Sequence, residues 1–192
     1  HTDLPDGDGL ALMGELRVRG RELVAVVLAD DPDHRITRAA WLAGAFIEKE
    51  EAEMLLWHGY AWGSYINSAK DDMEAVADLP YAKAFVARSI ELNPDYYNAA
   101  GYTFMGVATA SEMAGDMEEA KVYFEKALAA TERRALQTQL NMARHYAVKE
   151  GDRELFDKLL REVMDAHDPL PEARLANRMA RERAQLSIDN AD

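Results

Sequence analysis

The sequence holds few side chains whose types and spacing could support catalysis or metal binding. It has no cysteine, which excludes disulfides, thiolate metal sites and a cysteine nucleophile. Within the predicted helices, no histidine lies one turn from a second histidine or a carboxylate, the spacing of a helical zinc pair. Asp31 and His34 could ligate a metal together, but they flank Pro32 in a predicted turn. We therefore predict no metal site and no cofactor.

Acid–base and nucleophilic chemistry are also poorly supported. Four glutamates cluster in one stretch, at positions 48, 50, 51 and 53. Catalysis needs a carboxylate whose surroundings shift its pKa, whereas a run of like charges is typical of a solvated helix face. No nucleophile elbow, phosphate-binding loop, dinucleotide fingerprint or helical metalloprotease motif is present. We predict no catalytic residue and expect that the protein is not an enzyme. The alternative from the class of enzymes is a hydrolase or metal enzyme with an unrecognised site.

An aromatic segment at residues 55–67, with the sequence LLWHGYAWGSYIN, is the clearest candidate for binding. As a helix it is apolar on nearly every side, so it is either a buried core helix or the lining of a cavity. Indole N–H and phenol O–H groups can orient a ligand in an apolar pocket. The predicted ligand-binding residues in this segment are Trp57, Tyr60, Ser64, Tyr65 and Asn67.

One side of this helix can pack in the core while the other side lines a cavity. The row that contains Gly59 and Trp62 should face a neighbouring helix, because glycine allows close approach of another backbone. The row that contains Trp57 and Tyr60 carries the polar tips that a ligand would need. We therefore expect Trp57 and Tyr60 to point to a cleft and Trp62 to point to the core.

A second aromatic group begins a later helix and adds Tyr97, Asn98 and Tyr102 to the predicted ligand-binding residues. Helices of this kind line the concave face of helical repeat arrays, where partners usually bind. Asn98, Asn141 and Arg144 are also candidates for gripping a carboxylate, although the spacing of known carboxylate clamps is absent. This group is consistent with an adaptor that binds a peptide or protein partner.

The elements that must position these residues are helical almost throughout. Residues 1–9 are polar and rich in Gly and Pro, and we predict a disordered or loop leader. No later window alternates polar and apolar residues as a half-buried strand does. The pattern predicts an all-α domain over residues 10–192, with helices at 10–29, 36–48, 50–70, 72–92, 96–114, 118–131, 136–150, 154–166 and 172–186.

An internal repeat organises the second half of the chain. The turns Gly115-Asp116 and Gly151-Asp152 lie 36 residues apart, and the sequences of the predicted helices that follow them align. In the first of these helices, the small residue Ala120 lets the partner helix approach, and we expect Phe124 to be a buried residue that fills the gap between hairpins. A helix pair repeated about every 34 residues is typical of tetratricopeptide repeats. We predict stacked helical hairpins in a divergent tetratricopeptide-like superhelix, clearest at 74–167 and capped by the helix at 172–186.

Composition restricts the partners of such a domain. The formal net charge is −13, from 35 acidic and 22 basic residues, so binding to phosphate backbones and anionic lipid headgroups is disfavoured. No apolar run reaches the roughly 18–20 residues that a membrane span needs. The chain begins at His1, so we expect a processed, truncated or tag-derived start from which any signal peptide is already absent.

Several motifs in a fixed order resemble one known family. They are the run WHGYAWG at 57–63, DLP at 78–80 and NPDY at 93–96, followed by LF at 155–156, Pro171, RLAN at 174–177 and ARERA at 180–184. Together they cover about residues 55–190 and resemble the T component associated with TRAP transporters, the tripartite ATP-independent transport systems.

The resemblance implies a bacterial periplasmic lipoprotein with cryptic tetratricopeptide-like repeats. Such proteins are expected to form homotrimers and to bind the solute-binding P component of the transporter. A small hydrophobic or organic-acid ligand is implied as well, and the membrane would be reached only through an N-terminal lipid anchor that this chain does not contain. A generic tetratricopeptide adaptor that binds a peptide or protein partner is the main alternative.

Overall fold

The computed structural model describes residues 49–190, which fall within one compact unit, His34–Asp192. All regular structure in this range is helical, which confirms the all-α prediction. The helices predicted at 10–29 and 36–48, the leader at 1–9 and the pair Asp31 and His34 lie outside the described residues. The predicted extent of the domain, 10–192, therefore stays a prediction.

Eight helices follow one another along this range. After a short 3-10 turn at Lys49–Glu51 they are α1 (Ala52–Ser68), α2 (Met73–Ala77), α3 (Leu79–Leu92), α4 (Tyr96–Ser111), α5 (Met117–Ala130), α6 (Leu136–Asn141, continued by Met142–Ala147 and Val148–Glu150), α7 (Arg153–Asp165) and α8 (Arg174–Asp189), the last preceded by a 3-10 turn at Pro171–Ala173.

Capping side chains explain where several helices begin. Asp72, Asp116 and Asp152 each accept a hydrogen bond from a backbone N–H in the first turn of the following helix, at 2.9–3.0 Å. A side-chain oxygen in this position satisfies an N–H that has no partner inside the helix. Gly151 ends α6 with φ 69°, a left-handed conformation that favours glycine. The two predicted Gly-Asp turns are therefore confirmed.

The single helix predicted over 72–92 is wrong in one respect, because it is divided at Asp78 into α2 and α3. Pro80 stands at the second position of α3 and has no N–H, so it cannot continue the hydrogen-bond ladder of α2. The predicted helix at 136–150 is continuous, but its central segment, Met142–Ala147, is π-helical.

Buried residues recur at positions that the predicted repeat makes equivalent. These buried residues are Ala82, Val86 and Ser89 in α3, Ala120, Phe124 and Ala127 in α5, and Phe156, Leu160 and Val163 in α7. Ile90, which the predicted repeat aligns with the buried Leu128, is only partly buried. Helix α1 packs on α3, α4 on α5, and α6 on α7. This recurrence supports the register of the predicted repeat, while the tetratricopeptide-like superhelix itself stays a prediction.

Candidate functional site

The candidate site forms where the aromatic helix α1 meets the first turns of α4. A spacing of three or four residues places Trp57 and Tyr60 on one face of α1. The Tyr60 ring lies 5.1 Å from the Phe104 ring, and its hydroxyl donates a hydrogen bond to the Ala100 carbonyl at 3.0 Å. Gly63 makes this packing possible, because a Cβ atom there would lie 2.6 Å from the Phe104 ring. Tyr60 thus joins the two helices.

Trp57 and Tyr97 form the outer part of this contact. The two rings meet edge to face at 4.7 Å, and the Trp57 indole N–H donates to the Tyr96 hydroxyl at 3.4 Å. Trp57 is 40% exposed and Tyr97 is 54% exposed. We call Trp57, Tyr60, Tyr96 and Tyr97 the aromatic patch. Two of its four rings are therefore open to solvent, and they adjoin the partly buried packing of Tyr60 on Phe104.

The hydroxyl groups of the patch are hydrogen-bonding groups and not bases. Burial raises the pKa of the Tyr60 hydroxyl, so it is protonated at neutral pH and donates. Burial also raises the pKa of Tyr96; the hydrogen bond from Trp57 lowers it, and the neighbouring Glu53 carboxylate raises it. The patch can bind apolar and weakly polar groups, and its chemistry favours recognition over proton transfer.

An unusual backbone turn presents Tyr97. Tyr97, Asn98 and Ala99 have φ values of 48°, 59° and 55°, so three successive residues other than glycine are left-handed. Each such residue costs about 1–2 kcal/mol relative to the right-handed form. Strained backbone is often retained where it orients a binding group. Here it accompanies the exposed ring that packs on Trp57.

The structure brings together three of the predicted ligand-binding residues, Trp57, Tyr60 and Tyr97. Ser64 and Asn67 are exposed on the same face of α1, while Tyr65 is 55% exposed elsewhere on that helix. Asn98 is half-buried in the left-handed turn. Tyr102 lies apart from the patch, because its ring faces α5, where the Lys126 ammonium is 5.7 Å from the ring centre.

The opposite side of α1 is core, as expected. Trp62 stacks on Tyr81 at 5.4 Å and packs against the buried cluster of Leu55, Tyr81 and Phe85. Gly59 faces α3, where an added Cβ atom would lie 2.4 Å from Val86. The predictions for Trp62 and Gly59 are therefore confirmed. Tyr96 and Glu53 also lie at the site but were not among the predicted ligand-binding residues. The sequence carried one signal for Glu53, because it lies one helical turn before Trp57.

Two further observations concern the described range only. Residues 49–190 contain no helix that combines the length and the apolar character needed to cross a membrane. The same residues hold no group of three or more His, Asp or Glu side chains that could bind a metal ion.

The comparisons identify the family of the chain. No curated protein matches the sequence. The family model TAtT, described as TRAP transporter T-component, matches residues 15–192, which is nearly the whole chain. This is a family of transporter components and not a known family of enzymes. The protein belongs to the TRAP transporter T-component family and has an accessory role in TRAP transport.

Proposed function

We propose that this protein is a periplasmic component of a TRAP system that binds the solute-binding P component through the aromatic patch. The observation that carries the proposal is the edge-to-face pair of Trp57 and Tyr97, which is about half exposed and adjoins Tyr60. Family membership supplies the transport system. The solute-binding P component is the partner that family resemblance implies.

The patch has the properties of a protein-binding hot spot. Tryptophan and tyrosine dominate the binding energy of many interfaces, because they offer large contact areas with few rotatable bonds. The Tyr60 ring lies 5.9 Å from the Trp57 ring and packs in turn on Phe104, so little conformational entropy of Trp57 would be lost when a partner binds. The Tyr96 hydroxyl and the Trp57 indole are already hydrogen-bonded to each other, which fixes their orientation.

A small hydrophobic or organic-acid ligand is proposed for the same face of α1. Trp57, Tyr60 and Tyr97 would contact its apolar body. Ser64 and Asn67 are exposed along the same face and could hydrogen-bond its polar end. Tyr65, Asn98 and Tyr102 remain candidates for the edge of the site, and Tyr102 is the weakest of them because it faces α5.

The assembly and location are proposed from the family. We propose a homotrimer built from tetratricopeptide-like repeats, attached to the membrane by a lipid on a segment that precedes His1. The recurring buried positions of α3, α5 and α7 support the repeat. The acidic net charge of −13 is compatible with a partner that is not a nucleic acid.

Isothermal titration calorimetry of this chain with the P component of its own transport system tests the proposal. We expect saturable binding with a negative heat-capacity change, because apolar surface is buried. A P component from an unrelated TRAP system is the control and should bind more weakly. No heat of binding at any accessible concentration, with both proteins shown to be folded, would overturn the docking proposal.

A further inference from the structure

A groove between α6, α7 and α8 is separate from the aromatic patch and has a different chemistry. Its volume is about 620 Å³, within the roughly 300–1,000 Å³ typical of sites for small molecules. Val148 from α6, Phe156 from α7 and Leu186 from α8 supply apolar lining. Arg144 and Arg183 supply the charged lining.

The arginines of this groove differ from most others in the structure. Residues 49–190 contain ten arginines, and six of them form ion pairs with carboxylates within that range. Arg144 and Arg183 form none there, although the chain carries 35 acidic residues. Two cations therefore face one groove without a carboxylate from the described residues to neutralise them.

The helix spacing directs these side chains to a common space. Arg144 and Val148 are four residues apart on α6, and Arg183 and Leu186 are three apart on α8, so each pair shares a helix face. The Ser187 hydroxyl donates to the Arg183 carbonyl at 3.0 Å, which leaves its oxygen to accept. The two guanidinium groups are thus the charged donors at the groove.

We propose that this groove binds an amphiphilic organic anion, with a carboxylate held by Arg144 and Arg183 and an apolar tail against Val148, Phe156 and Leu186. A guanidinium group matches a carboxylate with two parallel hydrogen bonds. Arg144 and Arg183 make the groove a locally positive site on a chain whose net charge is −13. The proposal does not depend on docking at the aromatic patch.

Calorimetric titration of the full chain with decanoate tests this site, with decanol as the uncharged equivalent and butyrate as the short-chain equivalent. We expect decanoate to bind at least tenfold more tightly than either, because decanol lacks the charge and butyrate lacks most of the tail. Equal affinity for decanol and decanoate, or no binding of decanoate, would overturn the proposal.

Variants locate the binding. Arg144→Gln and Arg183→Gln should each weaken decanoate binding about tenfold or more, since each removes a charge-assisted contact. Arg161→Gln is the matched control, because Arg161 is an exposed arginine of α7 that does not line the groove. All three variants should melt at the wild-type temperature. An equal loss in Arg161→Gln would place the anion elsewhere and overturn the assignment.

Vesicles distinguish a free amphiphile from a membrane lipid as the source of the anion. We expect phosphatidylglycerol vesicles to sediment the wild-type chain no more than Arg144→Gln, because the net charge of −13 opposes contact with an anionic surface. Sedimentation of the wild type that is lost in Arg144→Gln would assign the groove to lipid headgroups instead and overturn the proposal.

Discussion

At the scale of single residues, Asn177 shows how one side chain can hold two distant segments together. It lies in α8 and is 4% exposed. Its amide oxygen accepts a hydrogen bond from the Leu136 N–H at 2.9 Å, and its amide nitrogen donates to the Arg134 carbonyl at 3.0 Å. The first contact caps α6, whose opening N–H groups have no partner within the helix. Asn177 therefore joins the last helix to the start of α6.

Replacement of Asn177 with Ala should lower the free energy of unfolding by about 2–4 kcal/mol, since the buried Leu136 N–H and the part-buried Arg134 carbonyl lose their partner. Urea denaturation measures the change. Gln185→Ala, on the exposed side of the same helix, is the control and should change stability by less than about 0.5 kcal/mol. A loss below that value for Asn177→Ala would contradict the assigned role.

The stability of the fold should depend on pH through His145. Burial lowers the pKa of His145, and the nearby positive charges of Arg144 and Lys70 lower it further. The unfolded chain takes up a proton near the ordinary pKa of about 6.5, before the folded chain does. This contribution is therefore complete above that pH and is lost as the pH falls towards the folded-state pKa.

His145→Gln should consequently lose less stability than the wild type between about pH 7 and pH 5. Chemical denaturation at several pH values measures the difference. Part of the acid-side loss should persist in this variant, because burial also lowers the pKa of His58. Identical pH profiles for the variant and the wild type would show that the His145 environment is described incorrectly.

At the scale of elements, the hairpin of α4 and α5 depends on a close fit between one aromatic ring and one glycine. Phe124 is fully buried, and a Cβ atom on Gly106 would lie 3.0 Å from its ring. Phe124→Ala should destabilise the fold by about 3–5 kcal/mol, as for other buried aromatic residues. Denaturant melts test this, with exposed Val122→Ala in α5 as the control. A loss below about 1 kcal/mol would mean that the repeat register is wrong.

Much of this helical framework could be predicted from the sequence because local chemistry specifies it. Asp72, Asp116 and Asp152 are capping residues with short side-chain acceptors, and Gly151 suits the left-handed end of α6. The left-handed turn at Tyr97 was not predictable, since residues other than glycine adopt it only where tertiary contacts hold them. The π-helical segment of α6 has no equivalent signal in its sequence.

The candidate site was predictable only in part. The helical spacing correctly separated Trp62, which packs in the core, from Trp57, which is partly exposed. The contact between Trp57 and Tyr96 joins residues that are 39 positions apart, so no local pattern indicates it. The groove was not predictable for the same reason, because Arg144 and Arg183 come together only when α6 packs beside α8.

At the scale of the whole molecule, self-association is expected from family resemblance. We predict that sedimentation equilibrium gives a trimer. Added salt should strengthen the assembly, because it screens repulsion between subunits that each carry a net charge of −13. A monomer at every protein and salt concentration would contradict the proposed assembly.

The central claim is that the aromatic patch binds the P component, and a matched pair of tryptophan variants tests it most directly. Trp57 is 40% exposed and contacts Tyr97, whereas Trp62 is partly buried and stacks on the buried Tyr81. Both replacements remove the same side chain from the same helix. The first should nevertheless affect mainly binding and the second mainly stability, because only Trp57 has an exposed ring that a partner could contact.

The measurement is the Kd for the P component together with the free energy of unfolding, for Trp57→Ala and Trp62→Ala. Trp57→Ala should weaken binding by about 2 kcal/mol or more, roughly 30-fold, and change stability less. Trp62→Ala should lower stability by about 3–5 kcal/mol and leave the Kd of the folded fraction unchanged. Unchanged binding in Trp57→Ala would contradict the account.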